Sequence, residues 1–428
     1  MIKPSLYNTI LKLDDERSII YNALSDTFIA FPTDQLTRKD DLSVSNPLLK
    51  YQFQKHGMLI DSNKDEINIV KASIREKDYD NSILYLHVNP TLACNFRCWY
   101  CYEDHRDTSP MTPNTIVAID KNLKIRIKDT NPKHVKLYFF GGEPLLYFKE
   151  VAEKIINNTK TTCRALNIPF SIHFTSNAYL LNTYIIERLR GLDVSFQITL
   201  DGHRDSHNKV RSSKKNSSYD IILNNVKLLL SSSVQVILRI NYTYENFQEI
   251  PRIIEDIEDF SPDEKELIMI DLQQVWQDIK LTDLSKMKRN VEAMLTQIQE
   301  KGLSASAPLH NDSINNACYA DRKNHLLINH NGKIYFCTAR EFNNENSVGE
   351  LRSNGTISWN IKKVNQWYSC KFGNVTCQHC RIAPICGGGC RQKSLESIGL
   401  KECLKNYSEK DKDLIVMRRF AQKFINKK

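Results

Sequence analysis

Residues 94–101 read Cys-Asn-Phe-Arg-Cys-Trp-Tyr-Cys. Cys94, Cys98 and Cys101 stand at a C-x3-C-x2-C spacing, and a fold must bring such sulfur ligands to one point. Three thiolates hold three corners of a cubic iron–sulfur cluster and leave the fourth iron without a protein ligand. An open metal position is where chemistry happens, whereas a fully ligated site is structural or an electron relay. The competing reading of these eight residues is a zinc knuckle, with His87 or His105 as its fourth ligand.

Composition decides what the other cysteines are for. A chain of 428 residues, 41% hydrophobic, buries a large core without disulfides and exceeds one ordinary domain. Its 12 cysteines therefore read as metal or cluster ligands. Asp14, Asp15, Glu16 and Arg17 interrupt the first thirty residues, so no signal peptide is expected there. No apolar run reaches membrane-spanning length, and a cytoplasmic protein without a membrane partner is expected. The net charge of +9 reads as scattered solvated lysines and calls for no nucleic acid.

From residue 83 short apolar strands alternate with amphipathic helices. The strands fall at 84–90, 135–140, 170–175, 194–200, 234–241 and 267–273. The helices fall near 114–128, 146–166, 182–190, 218–231, 246–259 and 283–301. This alternation predicts an α/β fold with a parallel sheet and right-handed crossovers. Six units over residues 83–303 predict a partial (β/α)6 TIM-like barrel, whose functional residues belong at the C-terminal ends of its strands.

Polar residues sit at those ends. The cluster loop follows the first strand. The second ends in Phe140-Gly141-Gly142-Glu143-Pro144; paired glycines admit a ligand close to the backbone, and a glutamate accepts from an ammonium. The third ends in Thr175-Ser176-Asn177-Ala178, short polar groups suited to a ribose or carboxylate. The fourth ends in Leu200-Asp201-Gly202-His203, followed by His207 and Arg211, and the fifth in Asn241. A guanidinium is the natural fork for a carboxylate. His207 reads as a hydrogen-bonded structural histidine and Cys163 as a small buried hydrophobe.

The cysteine spacing, the aromatic Tyr100 and the Gly-Gly-Glu-Pro turn together resemble the radical S-adenosylmethionine (SAM) superfamily. The resemblance implies that Cys94, Cys98 and Cys101 carry a 4Fe–4S cluster whose open iron is chelated by SAM. It further implies SAM contacts from Tyr100, Gly142, Glu143, Ser176, Asn177, Asp201 and Arg211, with Asn241 reaching the adenosine. Glu143 would meet the SAM amino group and Arg211 its carboxylate. Ala178 stands where the family often has glycine.

Eight cysteines fall between 318 and 403. The segment 326–337 reads as a β-hairpin through Asn331-Gly332. The series Cys318-x13-Gly332-x4-Cys337, then Cys377-x2-Cys380-x5-Cys386-x3-Cys390, then Cys403, resembles the SPASM extension of radical SAM peptide-modifying enzymes. That extension carries two auxiliary 4Fe–4S clusters. By resemblance, Cys318, Cys337 and Cys390 hold one; Cys370 closes it or leaves it open. Cys377, Cys380, Cys386 and Cys403 hold the other. A double zinc ribbon is the metal-only alternative. Residues 304–428 form this C-terminal domain and end in a basic helix over 408–427.

Residues 1–82 read as a small α+β module, with a hairpin over 17–31 and helix-like stretches over 36–56. The resemblance makes it a winged-helix-like element that takes up the leader of a ribosomally made precursor peptide by strand addition. It also implies an oxidoreductase that uses a 5′-deoxyadenosyl radical to install a thioether or carbon–carbon crosslink, fed by a flavodoxin or ferredoxin-type electron donor. Two alternatives accompany it. One is an anaerobic sulfatase maturase forming formylglycine, in which an aspartate follows the cysteine that here is Cys337; this chain has Thr338. The other is a non-catalytic iron–sulfur electron carrier or metal-stabilised binding protein, which has no need of Glu143 and Arg211 at strand ends.

Overall fold

A computed structural model describes residues 1–38, 41–211, 217–279, 284–307 and 318–425. The chain divides into two compact units. One comprises the described parts of Met1–Asp80, Leu309–Lys323 and Ile361–Lys428, and the other those of Asn81–Pro308 and Asn324–Asn360.

In the first unit, strands β1 (Ile2–Pro4), β2 (Asn8–Lys12), β3 (Arg17–Asn22), β4 (Thr27–Pro32), β5 (Leu36–Arg38), β6 (Ser43–Val44) and β7 (Leu59–Asp61) make three small antiparallel sheets, β1-β7, β2-β3-β4 and β5-β6. The predicted hairpin over 17–31 is β3-β4. Side chains alternate across a strand, and β3 uses both faces. Ile20 packs with Phe31, Phe53 and Met58 on one side. Tyr21 packs with Ile382, Ile415 and Val416 on the other, so the C-terminal helix Glu409–Phe424 covers that face. The helix-like reading of 36–56 is too long: β5 and β6 occupy its first part, and the helix runs Pro47–Lys55. Asn46 sets that start, its side chain accepting from the Leu48 and Leu49 amides before a proline at the first helical position. Residues 426 and 427 of the predicted basic helix lie outside the described residues.

The second unit is built on one mixed sheet of eleven strands. Strands β8 (Ile83–Val88), β9 (His134–Phe139), β10 (Phe170–Ser176), β11 (Val194–Asp201), β12 (Gln235–Tyr242), β13 (Ile268–Gln274) and β14 (Ser304–Ser306) lie side by side in chain order, all parallel. The six predicted strands are β8–β13; β14 is a seventh. Strand β15 (His325–Ile328) pairs parallel with the free side of β8, and β16 (Lys333–Tyr335), β17 (Gly349–Leu351) and β18 (Ile357–Trp359) continue from it antiparallel. The predicted hairpin is β15-β16, closed by the Gly332 amide donating to Asn329 O at 2.8 Å.

The parallel strands bury one row and leave the other partly open. On β9, Val135, Leu137 and Phe139 are buried, while Lys136 and Tyr138 are half-buried. Phe139, Phe174 and Phe196 stack across three strands, with centroids 4.8 and 4.9 Å apart. The predicted helices lie between these strands, starting with Pro113–Thr130, which Thr112 caps. The helix predicted over 283–301 runs Leu284–Glu300; residue 283 lies outside the described residues.

Candidate active site

The C-terminal strand ends converge as the parallel-sheet rule requires. Cys94, Cys98, Cys101, Tyr100, Gly142, Glu143, Ser176, Asn177 and Arg211 line one cleft with about 670 Å3 of empty space. Asp201 and Asn241 join it through Tyr100. Every residue predicted to contact the cofactor is thereby brought to one place by four strand ends, the loop after β8 and, for Arg211, the C-terminal end of the helix Arg204–Val210.

Two networks shape the cleft. Glu143 is buried and takes three donors: Leu145 N at 3.0 Å, Ser176 Oγ at 2.7 Å and Asn177 N at 2.7 Å. It staples the turn after β9 to the end of β10. Asn177 Nδ2 then donates to Asn95 Oδ1 at 2.8 Å and reaches Cys94 Sγ at 3.9 Å. Burial raises the Glu143 carboxyl pKa, and its hydrogen bonds oppose that.

In the second network, Tyr100 Oη donates to the Asp201 carboxylate at 2.7 Å. It accepts from Arg211 Nη2 at 2.8 Å and from Asn241 Nδ2 at 3.0 Å. Arg211 also pairs directly with Asp201 through Nε. A loop after β8 is thus tied to the ends of β11 and β12. His207 is fully buried and accepts the Asp201 amide on Nδ1 at 3.2 Å, the structural role expected of it. Burial pushes its pKa down to about 3.

The paired glycines serve the protein's own backbone. A Cβ on Gly142 would lie 2.1 Å from Ala93 O, and one on Gly141 2.6 Å from Asn89 Cγ; both have positive φ. The cluster loop runs against this turn, with Glu143 N donating to Ala93 O at 2.8 Å. Sequence reasoning missed Glu103 and Gln277, and it named His105 only as a candidate zinc ligand. Glu103 accepts the Gly142 amide, and burial pushes its carboxyl up to about 7. His105 donates Nδ1–H to Leu92 O at 2.7 Å and sets Nε2 3.4 Å from Cys101 Sγ. Gln277 Nε2 donates to Tyr100 O at 2.9 Å. The signal for Glu103 was its place two residues after Cys101.

Burial pushes the Cys94 thiol up to about 12 and Cys101 up to about 11, so ligation must displace protons from them. In the first unit Cys377, Cys380, Cys386 and Cys403 line a second cleft together with Lys405 and Lys412. Among the described residues, no three His, Cys, Asp or Glu side chains gather closely enough to hold a single metal ion. Three cysteines around one cleft and four around another fit groups of cluster size. Cys318, Cys370 and Cys390 also belong to the first unit and Cys337 to the second. Cys370 is buried, its Sγ donating toward Trp367 O at 3.2 Å and Arg391 O at 3.4 Å. Cys163 is buried in the helix Glu153–Ala165.

Residues 88–257 match the family model described as Radical SAM superfamily. Residues 88–257 thus carry a radical SAM domain. It is 34% identical over 119 residues to an uncharacterized protein of Methanocaldococcus jannaschii, covering 28% of this chain and 38% of that one. It is 26% identical over 264 residues to the radical SAM cyclopropyl synthase TigE of Paramaledivibacter caminithermalis, covering 58% of this chain and 52% of that one. The match thus spans about half of TigE and less of the other relative. Among solved structures, native anSMEcpe with bound AdoMet and Cp18Cys peptide superposes with a TM-score of 0.60 at 16% identity, covering 79% of this chain and 97% of that one. Streptococcus suis SuiB bound to precursor peptide SuiA gives 0.52 at 16% identity, covering 92% and 96%. These likenesses show a radical SAM α/β fold. No helix among the described residues is long and apolar enough to cross a membrane.

Proposed function

We propose that this enzyme is a radical SAM/SPASM peptide maturase that removes hydrogen from a ribosomal precursor peptide and installs a crosslink. The observation that carries this reading is the cleft where Cys94, Cys98 and Cys101 face the Glu143–Ser176–Asn177 staple and Arg211. Cys94, Cys98 and Cys101 would hold a 4Fe–4S cluster with SAM on its open iron. Together these groups would supply one-electron cleavage of a carbon–sulfur bond and with it the means to take hydrogen from an unactivated carbon.

The protein's part is to bind, orient and exclude. Half-buried Tyr100 and buried Asp201 and Arg211 form a mutually paired set that needs little reorganisation when a charged ligand arrives. Glu143 fixes the turn backbone and orients Ser176 and Asn177 toward the cleft. Cys377, Cys380, Cys386 and Cys403 would hold one auxiliary cluster, and Cys318, Cys337 and Cys390 the other. The peptide-bound relatives support a peptide substrate. Residues 1–82 would take its leader, residues 83–303 perform the chemistry, and residues 304–428 carry the auxiliary clusters. A flavodoxin or ferredoxin-type protein would donate electrons. Thr338 after Cys337 speaks against the sulfatase-maturase reading.

The test is Cys98→Ala, reconstituted anaerobically with iron and sulfide. SAM cleavage is lost while auxiliary iron is retained; cleavage at the wild-type rate defeats the assignment. Co-expression with any short peptide found encoded beside the gene, read by mass spectrometry, tests the substrate. An unchanged peptide mass with an adjacent sulfatase activated instead replaces the maturase by the sulfatase reading.

A further inference from the structure

At the opposite, N-terminal end of the parallel strands lies a second cleft, with about 500 Å3 of empty space, that the chemistry above does not use. Parallel barrels ordinarily fill their interior layers with branched apolar side chains, and this end serves stability. Here the interior row is polar, and strand register explains how. Tyr138 on β9 pairs with His173 on β10, His173 with Ser195 on β11, and Ser195 with Gln235 on β12. One step nearer the strand starts, Lys136 pairs with Ser171. Side chains two residues apart share a face, so both rows point the same way, and all six residues line the cleft.

The chemistry of this lining is lopsided. Lys136 has no ion pair or hydrogen bond to any described residue. The one carboxylate of the lining, Asp193, is exposed at the rim. Tyr138, Ser171, Ser195 and Gln235 bring donors. His173 Nδ1 lies 2.8 Å from Ser195 Oγ, and His134 Nε2 lies 2.9 Å from Ser171 Oγ, which holds both serines in place. Burial and Lys136 push His173 down to about 4, so the imidazole is neutral near pH 7. Burial pushes the Tyr138 hydroxyl up to about 12, so it keeps its proton. A half-buried lysine with no ion pair to a described residue, beside hydroxyl and amide groups, lacks one partner: an anion with several acceptor oxygens.

We infer that this cleft is a binding site for a small oxyanion, a phosphate or carboxylate group held by Lys136, Ser171 and Ser195, with His173 Nδ1–H donating to Ser195 Oγ and orienting its hydroxyl, at the strand end remote from the cysteines. The site is separate from the SAM cleft, with which it shares no lining residue.

The test uses the full-length, anaerobically reconstituted protein and isothermal titration calorimetry at fixed ionic strength. Inorganic phosphate and acetate are titrated separately, to distinguish a phosphate from a carboxylate ligand. Saturable binding of either, weakened about tenfold or more by Lys136→Gln as loss of a charge-assisted bond requires, supports the site. Ser195→Ala, which removes one donor, weakens it less and serves if Lys136→Gln does not fold. SAM affinity, measured alongside, is unchanged in both variants. No saturable binding of either anion, or binding equal in wild type and Ser195→Ala and Lys136→Gln, overturns the inference.

Discussion

Replacing Glu143 by glutamine tests whether the turn after β9 is held by charge or by shape. The carboxylate takes two donors on Oε1, Leu145 N and Ser176 Oγ, and one on Oε2, Asn177 N. Glutamine has one acceptor oxygen in place of two. Its better orientation turns the amide oxygen to Leu145 and Ser176 and sets the amide NH2 against the Asn177 N–H. One buried donor is then unsatisfied, at about 1–3 kcal/mol, and two bonds lose their ionic partner, which about halves their strength. The burial cost of the carboxylate disappears in return, which is why its pKa is raised rather than lowered. The net expectation for Glu143→Gln is a loss of about 1–3 kcal/mol. Glu143→Ala strands all three donors and loses about 3–5 kcal/mol. Urea unfolding gives the stabilities, and equilibrium dialysis with SAM reads the cleft. SAM affinity should fall in the same order, because Ser176 and Asn177 lose their orientation. Glutamine matching wild type in both measurements, or alanine matching glutamine, refutes the staple.

Arg211→Ala leaves Asp201 buried without its cation and should cost about 3–5 kcal/mol in urea unfolding. Gly142→Ala forces a Cβ onto Ala93 O at φ +52°, so the cluster loop must move; iron at the SAM site and SAM binding should both drop, with auxiliary iron kept. Acid should weaken the fold through its buried histidines. His207 and His325 are pushed down to about 3, so they are neutral when folded, while the unfolded chain takes up protons below about 6.5. Each then removes about 2 kcal/mol between pH 6.5 and 5, and His325→Gln should flatten the stability–pH curve by that amount; an unchanged curve counts against it. Asp321→Asn should cost about 3 kcal/mol or more by leaving Arg391 and Lys371 short of a counter-charge, as urea unfolding would read.

What could be read in advance was what local pattern controls. Strands β8–β13 announced themselves by apolar runs between amphipathic helices, and their ends held Glu143, Ser176, Asp201 and Asn241 because parallel connection leaves no other place for them. Pairings between distant segments were illegible. Strand β15 adds to β8 across more than two hundred residues, and no local period encodes that partner. Nothing in the local sequence tells that a Glu103 oxygen accepts the Gly142 amide. The glycine pair was read as room for a ligand, and it is room for the Ala93 carbonyl first. Lys136 and His173 carry no local signal beyond their strand positions, since alternation says that a side chain faces inward but not what waits there.

The first unit poses a sharper problem, since it is assembled from three chain segments that are far apart in sequence. Bringing such segments together costs loop-closure entropy that local contacts do not repay. A buried set of four charges joins all three. Asp78 comes from the first segment, Asp321 from the second, and Lys371 and Arg391 from the third. Arg391 bridges Asp78 at 2.6 Å and Asp321 at 3.1 Å, and Lys371 meets Asp321 at 2.8 Å. Two cations balance two anions, so the desolvation cost is offset only when all three segments are present. Such a set specifies an arrangement more than it stabilises one. Its members are also neighbours of sulfur: Lys371 follows Cys370, Arg391 follows Cys390, and Asp321 accepts the Cys318 amide at 3.2 Å. The charges therefore fix the backbone beside three cysteines, which the proposed auxiliary cluster would draw on. A pre-set backbone matters because thiolates that must be gathered during metal uptake spend binding energy on folding.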